Sequence, residues 1–518
     1  MAIIGIDLGT TYSVSASMED GRVIVISNVE GKQTTPSVVF FQDDMLDRVL
    51  VGDSAMFSAG TDPERAVRAI KRHMGTNFVK KIGEAGFTPE QISSKILEKL
   101  KADAEQSLNE PVTHAVITVP AYFEGAEREA TKQAAKLAGL QVLALLNEPV
   151  AAAIDFAQTR GEELANKTVL VYDLGGGTFD VTVMRVTRKG GPGSPLAFDI
   201  VGKDGSRELG GLDWDRALAR HVSEEFAQAH PGKNPADDPV SFDQLLLHCQ
   251  QAKESLSFKE EDGTVTILVT HDGVQHPVTV SRRKFEEITF DLLTQTFDKA
   301  SQLIAGLHGK GITWSSIDYI LLAGGSTKMP AVSRTLESIS GKKPVTNKGV
   351  DFNVGRGAAY LAFSPDAWTC SDGLSDVVIE ETRRDGPKRG GIEKPPSDQA
   401  THSVGISVWD ATKRKDYNHI LIQKGSKLGT RSKEETFQTI DDNQECVDIV
   451  IIDGESEDIE QTRELGKVRI GPLPPLPSGQ PIRVWLSYNA DGLITGQAVH
   501  VPTGKNAEIN VSLNRREL

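Results

Sequence analysis

Residues 3–11 read IIGIDLGTT, and the same outline returns at residues 169–181 as VLVYDLGGGTFDV. Each stretch is an apolar strand that ends in an aspartate, followed by a glycine turn and the start of a second strand. One such turn is an ordinary hairpin, because glycine and aspartate are common turn residues. Two copies about 165 residues apart, each ending a buried strand, predict a pair of hairpins that hold one ligand between them.

The side chains of these turns predict a polyphosphate ligand and a cation. Glycine lets backbone N–H groups approach phosphate oxygens without a Cβ in the way. Three threonines add hydroxyl donors: Thr10, Thr11 and Thr178. Three aspartates are wrongly charged for phosphate but suit a hydrated Mg²⁺, which needs only a few carboxylates: Asp7, Asp173 and Asp180.

Two further elements extend the predicted site. Residues 319–327, YILLAGGST, form an apolar strand ending in glycines, where flat backbone can lie against a nucleoside. Residues 119–123 read VPAYF, and residues 147–153, NEPVAAA, place Glu148 at the start of a helix. By spacing alone, Glu148 is an acid that stabilises a helix start.

Length and composition limit the class of protein. The chain has 518 residues, more than the ~250–300 that one core supports, so we expect two or more domains. Its 38% hydrophobic and 25% charged content is ordinary for a folded soluble protein. No stretch approaches the ~18 apolar residues of a membrane span, and residues 1–7 lack the pattern of a secretory signal. We therefore expect a cytoplasmic protein with no membrane partner.

Charge and cysteine content exclude other classes. A formal net charge of −15 repels a nucleic-acid backbone, so we expect no nucleic-acid partner. The tight basic cluster is embedded in glycine and proline and is expected to be a solvated part of a linker: Arg383, Arg384, Lys388 and Arg389. The three cysteines lack metal-ligand or disulfide spacing and are expected to be reduced: Cys249, Cys370 and Cys446.

The chain divides into three parts. Residues 1–365 alternate β-like runs with amphipathic helical stretches, which predicts an α/β domain. Residues 366–401 are rich in turn formers and charges, which predicts a linker. Within it, DVVIE at 376–380 either adds a strand to a sheet edge or forms a helix end. Residues 402–518 carry strand-like runs separated by turn signals, which predicts a compact β domain.

Together these motifs resemble the 70-kDa heat-shock chaperone family, the DnaK-like chaperones, over almost the whole chain. The resemblance implies a two-lobed actin-like ATPase domain followed by a β-sandwich that binds peptides. It also implies binding of ATP or ADP with Mg²⁺ and K⁺, and slow ATP hydrolysis. The motifs that carry it are IDLGTTYS (6–13), AIKRHMG (69–75), VPAYF (119–123), NEPVAAAI (147–154), DLGGGTFDVT (173–182), LGGLDWD (209–215), LAGGSTKMP (322–330) and GRGAAY (355–360).

The resemblance assigns roles to particular positions. Lys71 resembles the catalytic lysine, which suits a reaction that needs positioning and positive charge more than a strong base. Thr178 resembles a γ-phosphate contact, and Asp7 and Asp180 resemble organisers of Mg²⁺ and K⁺ beside the attacking water. Glu148 resembles the acid that senses the nucleotide.

Further positions follow from the same resemblance. Pro120 and Arg128 resemble the relay that connects the nucleotide to the second domain. The remaining nucleotide contacts that the resemblance implies are Gly9, Thr10, Thr11, Tyr12, Gly175, Gly176, Gly177, Gly210, Gly211, Lys253, Ser257, Gly324, Gly325, Ser326, Lys328 and Asp351.

The β domain also carries family-like segments, TIDDNQ at 439–444, DGE at 453–455 and NADGL at 489–493. Such a domain grips an extended apolar segment through strand backbone and a side-chain pocket. Val447 would lie at the central pocket, with Trp409 and Ile440 facing across the groove. The full set of corresponding positions is Ile406, Trp409, Phe437, Ile440, Val447 and Ile449, each of which would otherwise be interpreted as a sandwich core residue.

The sequence departs from the family at several places along the chain. Relatives usually continue into a helical lid after a strand such as 507–513, and we expect this chain to be a lidless variant with faster peptide release. The segment DVVIE at 376–380, followed by about twenty polar residues, replaces the family's leucine-rich acidic linker, which leaves the coupling between the domains open. Glu254 and Lys328 stand where relatives often place arginines against adenine, which leaves Lys253 and Ser257 for ribose and base. At 141–144, QVLA replaces basic residues that help to receive a J-domain co-chaperone.

Three functions remain to be compared. The first is an ATP-dependent chaperone for unfolded or extended polypeptides, served by a J-domain co-chaperone and a nucleotide exchange factor. The second is a nucleotide-switched scaffold that holds one dedicated partner, which the pair Trp409 and Ile440 would suit. The third is a small-molecule kinase, which would need a substrate-binding base between the lobes. Each acid there is already assigned to metal, and the β domain would be unexplained.

Overall fold

The computed structural model describes residues 1–191, 193–347, 349–368, 376–386, 392, 394–410, 412–489 and 493–511. Its α-helices span Asp53–Ala59, Pro89–Leu108, Gly125–Leu137, Glu148–Arg160, Gly211–Ala229, Pro239–Leu256, Arg282–Ile288, Phe290–Gly306, Pro330–Ser340, Asn353–Ala362 and Asp376–Asp385. Among these described residues, no helix has the length and apolar content needed to cross a membrane.

The first lobe is built on a mixed sheet that contains the first glycine hairpin. Its strands, in order across the sheet, are Gln141–Asn147, Val112–Val119, Ala2–Asp7, Tyr12–Glu19 and Arg22–Val25, with Thr35–Pro36 paired to Tyr12–Glu19. The first three strands are parallel, and Ala2–Asp7 runs antiparallel to Tyr12–Glu19. Residues 3–6 are buried, as expected for a strand covered on both faces.

The second lobe repeats this plan. Its strands, in order, are Leu196–Ser206, Phe179–Arg188, Lys167–Leu174 and Tyr319–Ala323. Lys167–Leu174 runs antiparallel to Phe179–Arg188, so that Asp173 lies opposite Asp180, and runs parallel to Tyr319–Ala323. The two glycine motifs therefore form equivalent hairpin turns, one in each lobe.

Helices Glu148–Arg160 and Asn353–Ala362 bring the two sheets together. A Cβ on Gly5 would overlap the backbone of Ala359, and a Cβ on Gly357 would overlap the backbone of Ala151. These glycines allow the helix Asn353–Ala362 to lie directly on the first strand and on the other helix. One buried apolar cluster takes residues from both sheets and both helices, which fixes the hairpin turns relative to each other.

Shorter elements complete the lobes. On the first lobe they are Val39–Phe41 with Val49–Val51 and Ala66–Val67, and Lys80–Ile82 with Ala85–Phe87. On the second lobe, the antiparallel hairpin Thr264–His271 and Val274–Ser281 packs on helix Pro239–Leu256.

The segment predicted as a linker has structure of its own. Residues 376–385 form a helix, so the alternative of an added strand is wrong. Farther along, Ile392 and Ser397 form isolated parallel bridges with Leu196 and Asp199, at the edge of the second lobe's sheet. The segment is thus held against the second lobe in the part that the structure describes.

The β domain consists of two antiparallel sheets that share a core. One contains, in order, Lys415–Ile422, Val404–Asp410, Val447–Asp453 and Arg463–Ile470, and the other contains Glu435–Gln438, Pro481–Tyr488, Ile494–His500 and Asn506–Asn510. Buried residues of both sheets, such as Ile451 and Val484, form one apolar cluster. This is the predicted β-sandwich.

Some predicted features fall outside the described residues. They are Cys370, Lys388, Arg389, residues 490–492 of the NADGL segment and residues 512–518 at the end of the last predicted strand. The side chain of Arg384 also lies outside the description. Cys249 is buried, and both it and the half-buried Cys446 are free thiols, as predicted.

Candidate functional site

A cavity of about 580 Å³ lies between the two lobes, with the glycine hairpins at its base. Most of the predicted site residues line it, and they come from strands, turns and helices of both lobes. Those residues are Asp7, Gly9, Thr10, Thr11, Tyr12, Lys71, Glu148, Asp173, Gly175, Gly176, Thr178, Lys253, Ser257, Gly324, Gly325, Ser326, Lys328 and Asp351. The cavity is large enough for a nucleotide-sized ligand.

Four predicted residues lie behind the cavity wall. The Asp180 carboxylate accepts a hydrogen bond from the Ala121 backbone N–H at 3.1 Å, and the Gly177 carbonyl lies outside the lining. A Cβ on Gly210 would meet the backbone of Gly177, and one on Gly211 would meet the Ser326 hydroxyl. These residues therefore lie behind the loops that line the cavity and hold those loops in position.

The turns of the two hairpins face each other closely. A Cβ on Gly176 would overlap the Thr11 side chain, and one on Gly177 would overlap Thr10. Among the described residues, the buried Thr11 hydroxyl oxygen has no hydrogen-bond partner. Because an unpaired buried hydroxyl is costly, this donor fits an anion such as a phosphate held between the turns.

Lys71 and Glu148 form a buried ion pair in the cavity wall. Lys71 lies on a short turn of 3₁₀ helix, with 5% of its side chain exposed, and its ammonium contacts the Glu148 carboxylate directly. The ammonium also lies 5.9 Å from the centre of the Phe123 ring. Glu148 is the first residue of helix Glu148–Arg160, which confirms the prediction from spacing. Lys71, which its local sequence would place on the surface, is buried instead.

The aspartates at the base of the cavity repel one another. Burial, followed by the Glu148 carboxylate, raises the pKa of Asp7 to about 7 despite Lys71 and a 3.1 Å hydrogen bond from Thr118. The same causes raise the pKa of Asp173 and Asp180 well above the ordinary range. A cation bound nearby would offset this repulsion and lower the pKa of these carboxyl groups.

No direct metal cage is formed within the described ranges, where no three His, Cys, Asp or Glu side chains are arranged to hold an ion together. Mg²⁺ keeps several waters when it accompanies a phosphate and needs only one or two carboxylates. Asp7 and Asp173, which line the cavity, therefore fit a hydrated ion rather than a dehydrated one.

The end of the cavity away from Lys71 contains polar pairs that sequence reasoning missed. Lys253 donates to the Gly211 carbonyl at 2.9 Å and pairs with Asp215 at 2.8 Å. Gln250 donates to Glu254 at 3.1 Å. The LGGLDWD motif contains Asp215, but its partner is set by tertiary structure and could not be inferred from spacing.

Ion pairs also join the two lobes, and we call their location the rim of the cavity because Arg72 and Asp213 directly follow the lining residues Lys71 and Leu212. Arg68 of the first lobe contacts both oxygens of Asp243 on helix Pro239–Leu256 at 2.6 Å. Arg72 contacts Asp213 at 2.6 Å and donates to the Gly177 carbonyl at 2.9 Å. No sequence pattern indicated the Arg68 pair, since its partner lies 175 residues away.

A glycine hairpin in each of two lobes, with a lysine–glutamate pair and aspartates between them, agrees with a comparison to known families. A family model described as Hsp70 protein matches residues 3–82, 79–379 and 402–517. The chain belongs to the Hsp70 family. At the level of the family, this membership indicates ATP-dependent chaperone activity, ATP hydrolysis and binding of ATP or ADP with Mg²⁺.

Arg128, which the family resemblance predicts to be a relay residue, belongs to a buried network centred on Asp398, which we call the Asp398 network. The Asp398 carboxylate accepts hydrogen bonds from Arg128 at 3.0 Å, Asn147 at 2.8 Å and Lys203 at 2.6 Å. Arg128 also donates to the Phe123 carbonyl at 3.0 Å, in the turn that Pro120 begins. Although burial opposes it, Lys203 and then Arg128 hold the pKa of Asp398 below its usual range.

A second ion-pair group lies beside this network and involves Glu124. His402, at the start of the β domain, lies 2.9 Å from Glu124 and 3.9 Å from Glu455. Arg207 of the second lobe and Arg463 of the β domain lie 3.4 and 3.9 Å from Glu124. The hydrogen bond to Glu124 raises the pKa of His402, and burial raises that of the nearby Asp453 to about 6.

The predicted peptide-binding residues of this Hsp70 β domain divide into two groups. Ile406, Val447 and Ile449 are buried in the sandwich core, with at most 9% of each residue exposed. Phe437 is half-buried and packs against the same core. Trp409 and Ile440 are exposed by 41% and 57%, as expected for side chains that face a groove.

Proposed function

We propose that this Hsp70-family protein is a chaperone that binds extended apolar polypeptide segments and couples that binding to slow ATP hydrolysis. One observation carries the proposal. Glu148 lines the nucleotide cavity and pairs with Lys71, while the preceding residue, Asn147, donates to Asp398 at 2.8 Å. Two consecutive residues thus contact the nucleotide cavity and the segment that leads into the β domain.

In the proposed reaction, the chain's own residues position a nucleotide phosphate and stabilise its negative charge. The glycine turns and Thr11 would donate hydrogen bonds to phosphate oxygens, and Lys71 would supply a fixed positive charge. Thr178 would contact the γ-phosphate. Asp7 and Asp173 would hold a hydrated Mg²⁺, which would supply positive charge beside the phosphates, and we propose K⁺ as a second ion.

The proposed organisation follows the sequence divisions. Residues 1–365 would form the ATPase domain, 366–401 the connection and 402–518 the peptide-binding domain. Loss of the Lys71–Glu148 pair on nucleotide binding would change the environment of Asn147 and so bias the Asp398 network. We propose a J-domain co-chaperone and a nucleotide exchange factor as partners.

The test is a single-turnover ATPase measurement on the full chain with and without unfolded apolar peptides. Lys71→Ala is expected to lower the rate by roughly 100-fold or more, as loss of one preorganised charge does elsewhere. Lys32→Ala is the matched control, because Lys32 also lines the cavity and pairs with Asp53 at 2.7 Å but is 59% exposed. Peptide stimulation that Lys71→Ala abolishes would support the proposal. Hydrolysis that no peptide changes would contradict coupling.

The exposed pair Trp409 and Ile440 favours a second candidate, a scaffold that uses nucleotide state to hold one dedicated partner. With Ile406, Val447 and Ile449 enclosed in the core, only a small apolar area is left for a client. A peptide-array measurement distinguishes the two functions. Binding to many unrelated apolar sequences supports the chaperone, and binding confined to one sequence class supports the scaffold.

A further inference from the structure

The lining of the nucleotide cavity contains an aromatic side chain that no sequence motif indicated. Phe258 lines the cavity, yet 80% of the residue is exposed. It lies in the turn that follows helix Pro239–Leu256, and its backbone N–H donates to the Ser255 carbonyl at 3.2 Å. The backbone of Phe258 is therefore fixed in this turn, while most of the residue is exposed to solvent beside the cavity.

The cationic side chains of this cavity are already engaged by carboxylates. Lys253 pairs with Asp215 at 2.8 Å, and Lys328 pairs with Asp351 at 2.6 Å. At the other end, Lys71 pairs with Glu148. The described residues that line the cavity include no arginine, so none of them supplies a flat cation that could stack on a base.

The neighbouring acid cannot take that role either. Glu254 lies one turn before Phe258 and accepts a hydrogen bond from Gln250. A carboxylate has no donor and no flat apolar face, so it does not stack on a base. Phe258 has such a face, and every base presents a π-surface to it.

We propose that Phe258 stacks on the nucleotide base and is a base-binding residue of this protein. The inference rests on the ATP binding proposed above and names the residue that replaces cationic stacking in this chain. Covering the ring with a base also removes exposed apolar area from water, which favours stacking. The expected ligand is a nucleoside triphosphate whose base lies between Phe258 and the Lys328 side of the cavity.

The experiment is calorimetric titration of the full chain with Mg²⁺ and ATP. Phe258→Ala is expected to weaken ATP binding roughly 5- to 150-fold, the range that loss of one base–aromatic stack gives. Phe258→Tyr keeps the ring and should bind within about threefold of the wild-type chain. Phe57→Ala is the matched control, because Phe57 is 83% exposed and neighbours the lining residue Met56 without lining the cavity itself.

The outcomes distinguish base stacking by Phe258 from ATP binding by the chain as a whole. Weak binding by Phe258→Ala with normal binding by Phe258→Tyr and Phe57→Ala would support base stacking. ATP binding by Phe258→Ala within twofold of wild type would overturn the stacking inference and leave the proposed function standing. Loss of binding in Phe258→Tyr as large as in Phe258→Ala would also overturn stacking. Failure of the wild-type chain to bind ATP would overturn the proposed function itself.

Discussion

Neutralising Asp398 is the perturbation whose effect the structure defines best. Its carboxylate is the anion for two buried cations, Arg128 and Lys203, whose side chains are 4% and 7% exposed. In Asp398→Asn, both cations would remain buried without a counter-charge. Breaking a buried pair from one side costs about 3–5 kcal/mol. The equilibrium between the bound and the released state of the segment around Asp398 should therefore shift toward release by roughly 100-fold or more.

Hydrogen exchange measures this shift directly. The Ser397 N–H donates to the Phe198 carbonyl at 3.1 Å, and the Ala400 N–H donates to Ser426 at 2.8 Å. Both amides should exchange at least 100-fold faster in Asp398→Asn if the segment opens before exchange. Asp366→Asn is the control, because its pair with Arg383 is exposed and worth at most about 1 kcal/mol.

The reasoning also predicts a rescue. Replacing the network by apolar side chains in the variant Asp398→Leu, Arg128→Met, Lys203→Met should restore slow exchange, since apolar replacement of a buried ionic group is often neutral or stabilising. Exchange in Asp398→Asn within threefold of wild type would refute the claim that this network holds the segment.

Three further predictions address the rim, the interdomain contact and the β domain. Arg68→Ala removes the half-buried pair across the rim and should speed nucleotide release about 2- to 5-fold in stopped-flow measurements; an unchanged rate would exclude a role for the rim. The pKa of both His402 and Asp453 is raised in the interdomain contact. Their protonated forms therefore favour this contact, and their contribution to its stability is fully present at low pH. It should be lost between about pH 4 and 6 for Asp453 and above about 6.5 for His402. Small-angle scattering should then show a more open chain at pH 8 than at pH 6, and His402→Gln should reduce the difference. Ile449→Ala should destabilise the β domain by about 2–5 kcal/mol in urea, whereas Trp409→Ala should leave stability unchanged and weaken peptide binding.

Local patterns predicted the features that depend on local structure. The repeated strand, acid and glycine turn gave both hairpins, because alternation and turn residues record backbone conformation directly. Glu148 was predicted at a helix start for the same reason. The exposure of Trp409 and Ile440, by contrast, was expected only from the family resemblance.

Local patterns did not predict the features that depend on distant partners, and the role of Lys71 was expected only from the family resemblance. Asp398 lies in a segment whose turn formers and charges indicated a solvated linker, yet its carboxylate is buried beside residues 195 to 270 positions away. Lys71 has the local sequence of a surface lysine and is buried by its pairing with Glu148. A sequence pattern shows how polar a segment is, and it does not show which counter-charge the fold brings to it.

The pairing of Lys71 with Glu148 has a consequence for coupling. A phosphate that draws the Lys71 ammonium to itself must take it from Glu148, which would leave a carboxylate buried beside Asp7 and Asp173. Since an uncompensated buried charge is costly, Glu148 would move. Asn147 precedes it directly and donates to Asp398. In the proposed coupling, a change at Glu148 would reach the Asp398 network through one peptide bond, without a long chain of intervening contacts.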